Sequence, residues 1–286
     1  MTDVLTSIFA FAIGACIGSF LNVCIARWPA GMSVIRPPSR CPACERPIRA
    51  YENVPILGWI SLRGRCAGCA SSISPQYPLV ELLVALVWMG ATIIFGPTLL
   101  ALRVAVFATI MLGIAITDAK HYEIPDGFTI FGLVWVIATA IAASVAASGA
   151  PSAFAGVYDS FMGAMVGAGL TAIAGWLGEA AFDKEAMGFG DVTLMAVIGA
   201  ALGPERALLT FFVGAALGAV TVTAVTVYAR VSGNVHHLSA VNAAGNTGDG
   251  EPQIVPFGVF LAPAALITLF YGNPLIHWYL ARFINP

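Results

Sequence analysis

Two aspartates stand at the ends of apolar runs in a chain that is otherwise almost without charge. Asp118 closes the stretch Ala115-Ile116-Thr117-Asp118, and Asp191 follows Met187-Gly188-Phe189-Gly190. An ionisable side chain at the edge of hydrocarbon is costly to keep and marks function by default. Two carboxyl groups in contact cannot both ionise, so they share one proton. The ionised partner draws a proton from a water as general base. The protonated partner polarises a peptide carbonyl and then protonates the leaving amine. The titration belongs to the pair and not to either member. This is the chemistry of an aspartic protease built inside a membrane, with Asp118 and Asp191 as the candidate catalytic residues.

The local sequence suits the role. In Gly188-Phe189-Gly190-Asp191 the glycines allow close backbone approach and unusual dihedrals just before a helix. Asp191 then sits at or near a helix N-terminus, where the dipole favours an anion. A bare GxGD pattern is weak; its place at a span boundary, opposite a second span-end aspartate, makes it stronger. The competing reading of Asp191 is an ordinary N-cap. Asp118 resists that reading, because an anion at a helix C-terminus is disfavoured. Asp126, after Pro125 and before an apolar run, reads first as a cap. Glu123, Asp183 and Glu185 face water at the membrane edge. Glu81 falls in the first turn of the second span, where an acid suits the dipole. Lys184 either snorkels or pairs with an acid beside the dyad.

A second constellation lies in residues 27–78, rich in Arg, Pro and Cys. Cys41-Pro42-Ala43-Cys44 and Cys66-Ala67-Gly68-Cys69 are two CxxC pairs with 21 residues between them. That is the spacing of a zinc ribbon or knuckle, in which four thiolates close a tetrahedral site. A stretch this small and polar has little core, and one structural zinc folds it. The alternative, a pair of disulfides, is disfavoured in a reducing cytoplasm. Cys16 and Cys24 read as small buried side chains. His236 and His237 fall in the Gly/Asn/Ser-rich stretch Ser232–Gly250, a flexible cytoplasmic loop, and not at a metal.

The elements that position these groups follow from composition. The chain has 286 residues, 59% hydrophobic and 10% charged, with mean hydropathy +0.87. A soluble domain carries roughly 25% charged residues, so the solvent of this chain is lipid. Apolar runs of the length a bilayer demands occur at 4–26, 79–96, 98–117, 127–148, 157–180, 191–203, 206–229 and 254–271. The sixth is short and stops at Gly203-Pro204. The first reads as a permanent helix and not as a removed signal peptide. The fold class is an all-α polytopic membrane protein of about eight transmembrane helices, with a small cytoplasmic zinc-binding loop after the first. The expected organisation is a first helix over 1–26, a double-CxxC loop over 27–78 and a seven-helix membrane domain over 79–286. The loop 27–78 holds seven Arg against two acids. The positive-inside rule therefore puts it in the cytoplasm and the N-terminus outside. Ten of the 13 Lys and Arg then lie inside, and both aspartates lie at the cytoplasmic edge.

The residues also match a family. Gly18-Ser-Phe-Leu-Asn22-Val, the double CxxC loop, Ile73-Ser-Pro-Gln-Tyr-Pro-Leu-Val-Glu81, Asp118 with Ile124-Pro-Asp126, Lys184-Glu-Ala-Met-Gly-Phe-Gly-Asp191 and Pro256-Phe-Gly258 occur in that order. The chain closely resembles bacterial type IV prepilin peptidases, the GxGD aspartic proteases of pilus and type II secretion systems. The resemblance places the catalytic pair on Asp118 and Asp191. It implies an inner-membrane enzyme whose substrate is a prepilin or pseudopilin, cut after a glycine that follows a short basic leader. It also implies N-methylation of the new terminus with S-adenosylmethionine, carried by the N-terminal part of the chain. No glycine-rich nucleotide loop is visible there. Thr193 and Gln76 stand where relatives commonly carry Lys and Arg. Glu123, Asp126, Lys184 and Glu185 are the candidate substrate-binding residues, the acids receiving the leader's charge. Partners are the substrate helix and membrane lipid; nucleic acid is not expected.

Three other readings compete with this one. A transporter would show repeat halves or broken helices in matching positions, and none is apparent. A methyltransferase with relic aspartates is at odds with an intact GxGD. A presenilin-like protease of other membrane helices does not explain the basic cysteine loop.

Overall fold

In hydrocarbon every backbone polar group must be satisfied within its own segment, so the spans are helices. The structure is a computed structural model and describes residues 2–146, 153–183, 187–232 and 256–284. Its helices are α1 (Thr2–Arg27), α2 (Leu57–Ser61), α3 (Gln76–Phe95), α4 (Leu99–His121) and α5 (Asp126–Val145). They continue as α6 (Val157–Phe182), α7 (Phe189–Leu202), α8 (Pro204–Ser232) and α9 (Gly258–Tyr279). Among the described residues there is no β-strand, only two isolated antiparallel bridges, Arg40–Pro47 and Arg65–Ser72. All of the helices but α2 and α7 are long and apolar enough to cross a membrane, seven in number. The chain is an all-α, multi-pass membrane protein. The 14 residues of α7 reach about 21 Å at a rise of about 1.5 Å each, short of the roughly 30 Å hydrocarbon core.

The second span begins earlier than its hydropathy indicates. Pro75 is the N-cap of α3, and the Ser74 hydroxyl accepts the Gln76 N–H at 3.3 Å. Glu81 therefore lies beyond the first turn, not in it, and it is buried. Polarity, not helix geometry, set the apparent boundary.

The chain divides into two compact units, Met1–Gly113 and Ile114–Pro286. In the first, α1 lies hard against α3. A Cβ on Gly14 would fall 2.8 Å from Ala85 Cα, and one on Gly18 2.7 Å from Glu81 Cα. Small residues at such crossings let backbones meet. The Asn22 amide donates to the Tyr77 carbonyl at 3.1 Å, and Trp88 Nε1 to Thr109 Oγ1 at 3.2 Å, tying α3 to its neighbours on either side.

In the second unit α7 is the core. Leu194, Met195, Val197, Ile198, Ala200, Ala201 and Leu202 are all buried. Its backbone touches that of α6: a Cβ on Gly163 would overlap the Gly199 carbonyl, and one on Gly167 the Met195 carbonyl. Arg206 closes the far end, donating from Nε to the Leu202 carbonyl at 2.7 Å and from Nη1 to the Ala153 carbonyl at 2.5 Å. A helix enclosed by protein and tied off in this way has no need of spanning length. Thr210 and Thr268 join α8 to α9 at 2.6 Å.

Candidate active site

Asp118 lies in the last turn and a half of α4 and is 4% exposed. Its Oδ2 accepts the Val259 backbone N–H at 3.0 Å, and the Gly258 backbone also bonds to it. Gly258 and Val259 open α9, with Phe257 at the N-cap. The first N–H groups of a helix have no partner within it, and here they are turned on a carboxylate. This accounts for the glycine of the Pro256-Phe257-Gly258 pattern. A Cβ on Gly258 would sit 2.8 Å from Asp118 Oδ2 and 2.9 Å from Ile124 Cδ1. Gly258→Ala is therefore expected to push Asp118 off its donors. A displacement of about 1 Å costs about 10²-fold in rate, with the chain still inserted and folded. Cleavage kinetics beside a melting curve check this.

Asp191 occupies the first turn of α7 and is half-buried. The N-cap is Gly188 with φ −72, and no side chain caps the helix. Asp191 is thus not the cap, and the GxGD glycines do not hold unusual dihedrals. Close approach is what they supply. A Cβ on Gly190 would lie 3.0 Å from Ile124 Cβ. Gly190 and Gly258 press on the same buried isoleucine, so the starts of α7 and α9 converge beside the end of α4. The Asp118 and Asp191 carboxyl groups are within electrostatic reach of each other. Two positive helix ends at one place offset two like charges.

The other predicted residues are placed as follows. Glu123 and Asp126 are exposed, on either side of the buried pair Ile124-Pro125. Asp126 does not cap α5: Pro125 holds the N-cap position, and Asp126 makes no cap bond. Asp183 is exposed at the end of α6, with φ 52. Lys184 and Glu185 lie outside the described residues, as do His236 and His237. Thr193 bonds back to the Gly190 carbonyl at 2.9 Å. The packing role of Ile124, quoted only as part of a family motif, and the Val259 N–H went unrecognised in the sequence. The first is an ordinary apolar residue, and the second is backbone.

The cysteine loop is a pair of matching turns. Cys41 N–H donates to the Arg46 carbonyl at 3.0 Å, and Cys66 N–H to the Ser71 carbonyl at 2.9 Å. Glu45 N–H returns to the Cys41 carbonyl, and Ala70 N–H to the Cys66 carbonyl, both at 2.9 Å. Glu45 and Ala70 are both left-handed, at φ 56 and 58. Each CxxC is thus one knuckle, and Arg65–Ile73 repeats Arg40–Ile48. The four sulfurs lie within 4.8 Å of one another. Bonds of about 2.3 Å to one tetrahedral zinc set sulfurs about 3.8 Å apart. Cys41 and Cys69 are 3.8 Å apart, Cys44 and Cys66 4.0 Å. The cluster fits a metal ion with no open position. Backbone N–H groups of Cys44 and Ala43 favour the Cys41 thiolate, while the neighbouring sulfurs push the Cys44 thiol up, the crowding that a shared cation relieves. Arg46 and Glu52 brace the first knuckle at 2.7 Å. That ion pair, with the Arg49 N–H, holds the Glu52 carboxyl below the usual range. The brace persists at neutral pH and is lost only as pH falls through that lowered value.

Comparison with known proteins adds to this geometry. Residues 12–95 match the profile described as Bacterial Peptidase A24 N-terminal domain, and residues 105–223 that of the Type IV leader peptidase family. A prepilin leader peptidase/N-methyltransferase of Aeromonas hydrophila is 30% identical over 302 residues, 96% of this chain and 93% of that protein. One of Stutzerimonas stutzeri is 31% identical over 298 residues, 95% and 92% of the two chains. One of Myxococcus xanthus is 40% identical over 205 residues, 72% of this chain and 58% of that protein's length. No solved structure matches.

Proposed function

The chain belongs to the type IV leader peptidase family and is an enzyme, and from that premise we propose that it cleaves the basic leader from prepilins or pseudopilins after a glycine. The observation that carries the reading is the meeting of Gly258, which lies against Asp118, and Gly190, next to Asp191, at Ile124, with the two carboxyl groups close enough to feel each other's charge. The pair activates water and protonates the leaving amine without a covalent intermediate. The α9 backbone donors on Asp118 stabilise its charge, so Asp118 is the ionised member of the pair and takes the water's proton. Asp191 carries the shared proton and faces the scissile carbonyl.

The same reading includes a second activity. Relatives named N-methyltransferases support methylation of the new N-terminus from S-adenosylmethionine. The four cysteines hold a structural zinc that shapes residues 27–78. The first helix, this loop and the remaining seven helices act as three parts, 1–26, 27–78 and 79–286. The seven Arg of the loop support a cytoplasmic loop, an outside N-terminus and an active site at the inner face of a bacterial cytoplasmic membrane. Prepilin co-expressed with the enzyme is the test: the mass of its N-terminus reports cleavage and methylation together. Intact prepilin beside a folded enzyme would sink the proposal.

Glu123, Asp126, Asp183 and Glu185 receive the leader's positive charge, with Lys184 among them as the partner of an acid beside the dyad. Glu123→Lys combined with Asp126→Lys is expected to raise KM for a basic-leader substrate about tenfold, since like charges at an interface are costly. A leader stripped of its charge should not feel the change. Equal effects on both substrates would remove these acids from the binding site.

A further inference from the structure

The first unit holds a cavity that the cleavage chemistry does not use. Its volume is about 490 Å³, within the roughly 300–1,000 Å³ of small-molecule sites. The C-terminal end of α1 supplies Ser19 and Asn22, the start of α3 supplies Tyr77 and Glu81, and the double knuckle supplies Cys41 and Cys66. All of these fall inside the region matched by the N-terminal profile.

Glu81 is the unusual member. Its residue is 8% exposed. It accepts the Ile56 N–H at 2.7 Å and a bond from Ser19. Both partners are neutral. Burying a carboxylate is costly unless it is paired, and a charge left uncompensated in the interior is strongly unfavourable. The backbone pays for this contact too. Ile56 sits at φ 64, ψ −53, where Leu57 N–H closes a tight turn onto the Pro55 carbonyl at 2.6 Å. A β-branched residue held there is strained, and such strain collects at ligand sites. Arg27, Arg40 and Arg46 line the same cavity, Arg46 already paired with Glu52, while the hydrogen bonds to Glu81 come from neutral groups; a buried acid so placed suits the cationic part of a ligand.

We propose that this cavity binds the sulfonium methyl donor, with Glu81 facing the positive charge at the reacting centre. The proposal rests on the methyltransferase reading above and gives that activity its place. Trp59 and Leu62, which also line the cavity, offer apolar surface to a nucleoside, and Arg27 in its lining suits a carboxylate. In the transfer, the free-base amine nitrogen bonds to the methyl carbon. The carbon–sulfur bond breaks, its electron pair stays on sulfur as a thioether, and the charge passes to nitrogen, which then releases a proton to water. A fixed carboxylate holds the amine and the donor against each other through that passage.

Two ligands test the charge. Sinefungin carries an amine where the methyl sulfonium would be; S-adenosylhomocysteine is neutral there. The full chain in lipid nanodiscs is titrated with each. The wild type should bind sinefungin about tenfold more tightly or better. Glu81→Gln should bring the two to within about twofold. Ala26→Trp, which fills the cavity, should weaken both about tenfold or more. Zinc content and the melting curve establish that each variant is folded. On co-expression, the methylated fraction of processed pilin should drop about tenfold in both variants. A wild type without preference between the ligands overturns the proposal, whatever the variants do. So does a folded Glu81→Gln that keeps the preference, or a folded Ala26→Trp that binds as before; methylation by the wild type would then stand with its site elsewhere. A wild type that processes prepilin and never methylates it ends the methyltransferase reading and this inference together.

Discussion

Asp118→Asn and Asp191→Asn are each expected to lower leader cleavage about 10³-fold or more, since each removes the acid–base chemistry of the pair, worth about 10²–10⁴-fold, together with its electrostatics. Asparagine keeps the size and an acceptor oxygen, so the Val259 N–H at 3.0 Å still finds a partner. Asparagine at 191 likewise keeps an acceptor for the Gly188 backbone at the start of α7. Both variants should melt like the wild type. The double variant should be little worse than either single one, because groups that act as a unit are not additive. Single-turnover cleavage of a synthetic prepilin in nanodiscs measures this. Either folded variant retaining more than about a tenth of the wild-type rate would dismiss the two-carboxylate mechanism.

Loss of the metal is expected to have the second largest effect. Cys66→Ser, or a strong chelator, should take bound zinc from about one per chain to almost none. Structural zinc contributes roughly 10–16 kcal/mol of apparent binding energy at neutral pH. The described loop has no strand beyond two single bridges and one ion pair at its first knuckle, so nothing of comparable size replaces the metal. Residues between α1 and α3 should become open to protease. Metal analysis and limited proteolysis read both outcomes. Ligation needs deprotonated thiols, so acid should release the metal and alkali should not. A Cys66→Ser protein that keeps stoichiometric zinc would remove the four-thiolate site.

The aspartates and the cysteines were legible because each is expensive where it stands. A charge at the membrane edge and four thiols in a core-poor loop need reasons. The helices were legible for the same cause, since lipid permits little else. What the sequence hid was relational. Nothing about Val259 marks it as a donor, because the group that acts is backbone. Ile124 looks like any buried isoleucine until Gly190 and Gly258 are seen against it. Glu81 looked like a dipole-stabilised acid because hydropathy placed the start of α3 three residues late. The knuckle repeat was written openly, as Arg40-Cys41 through Ile48 against Arg65-Cys66 through Ile73. It is short, and only matching turns and left-handed residues give it meaning.

The bond from Val259 to Asp118 joins positions 141 apart along the chain. During synthesis the aspartate leaves the ribosome long before the segment that steadies it. A nascent chain therefore holds Asp118 without these backbone donors until α9 has been made.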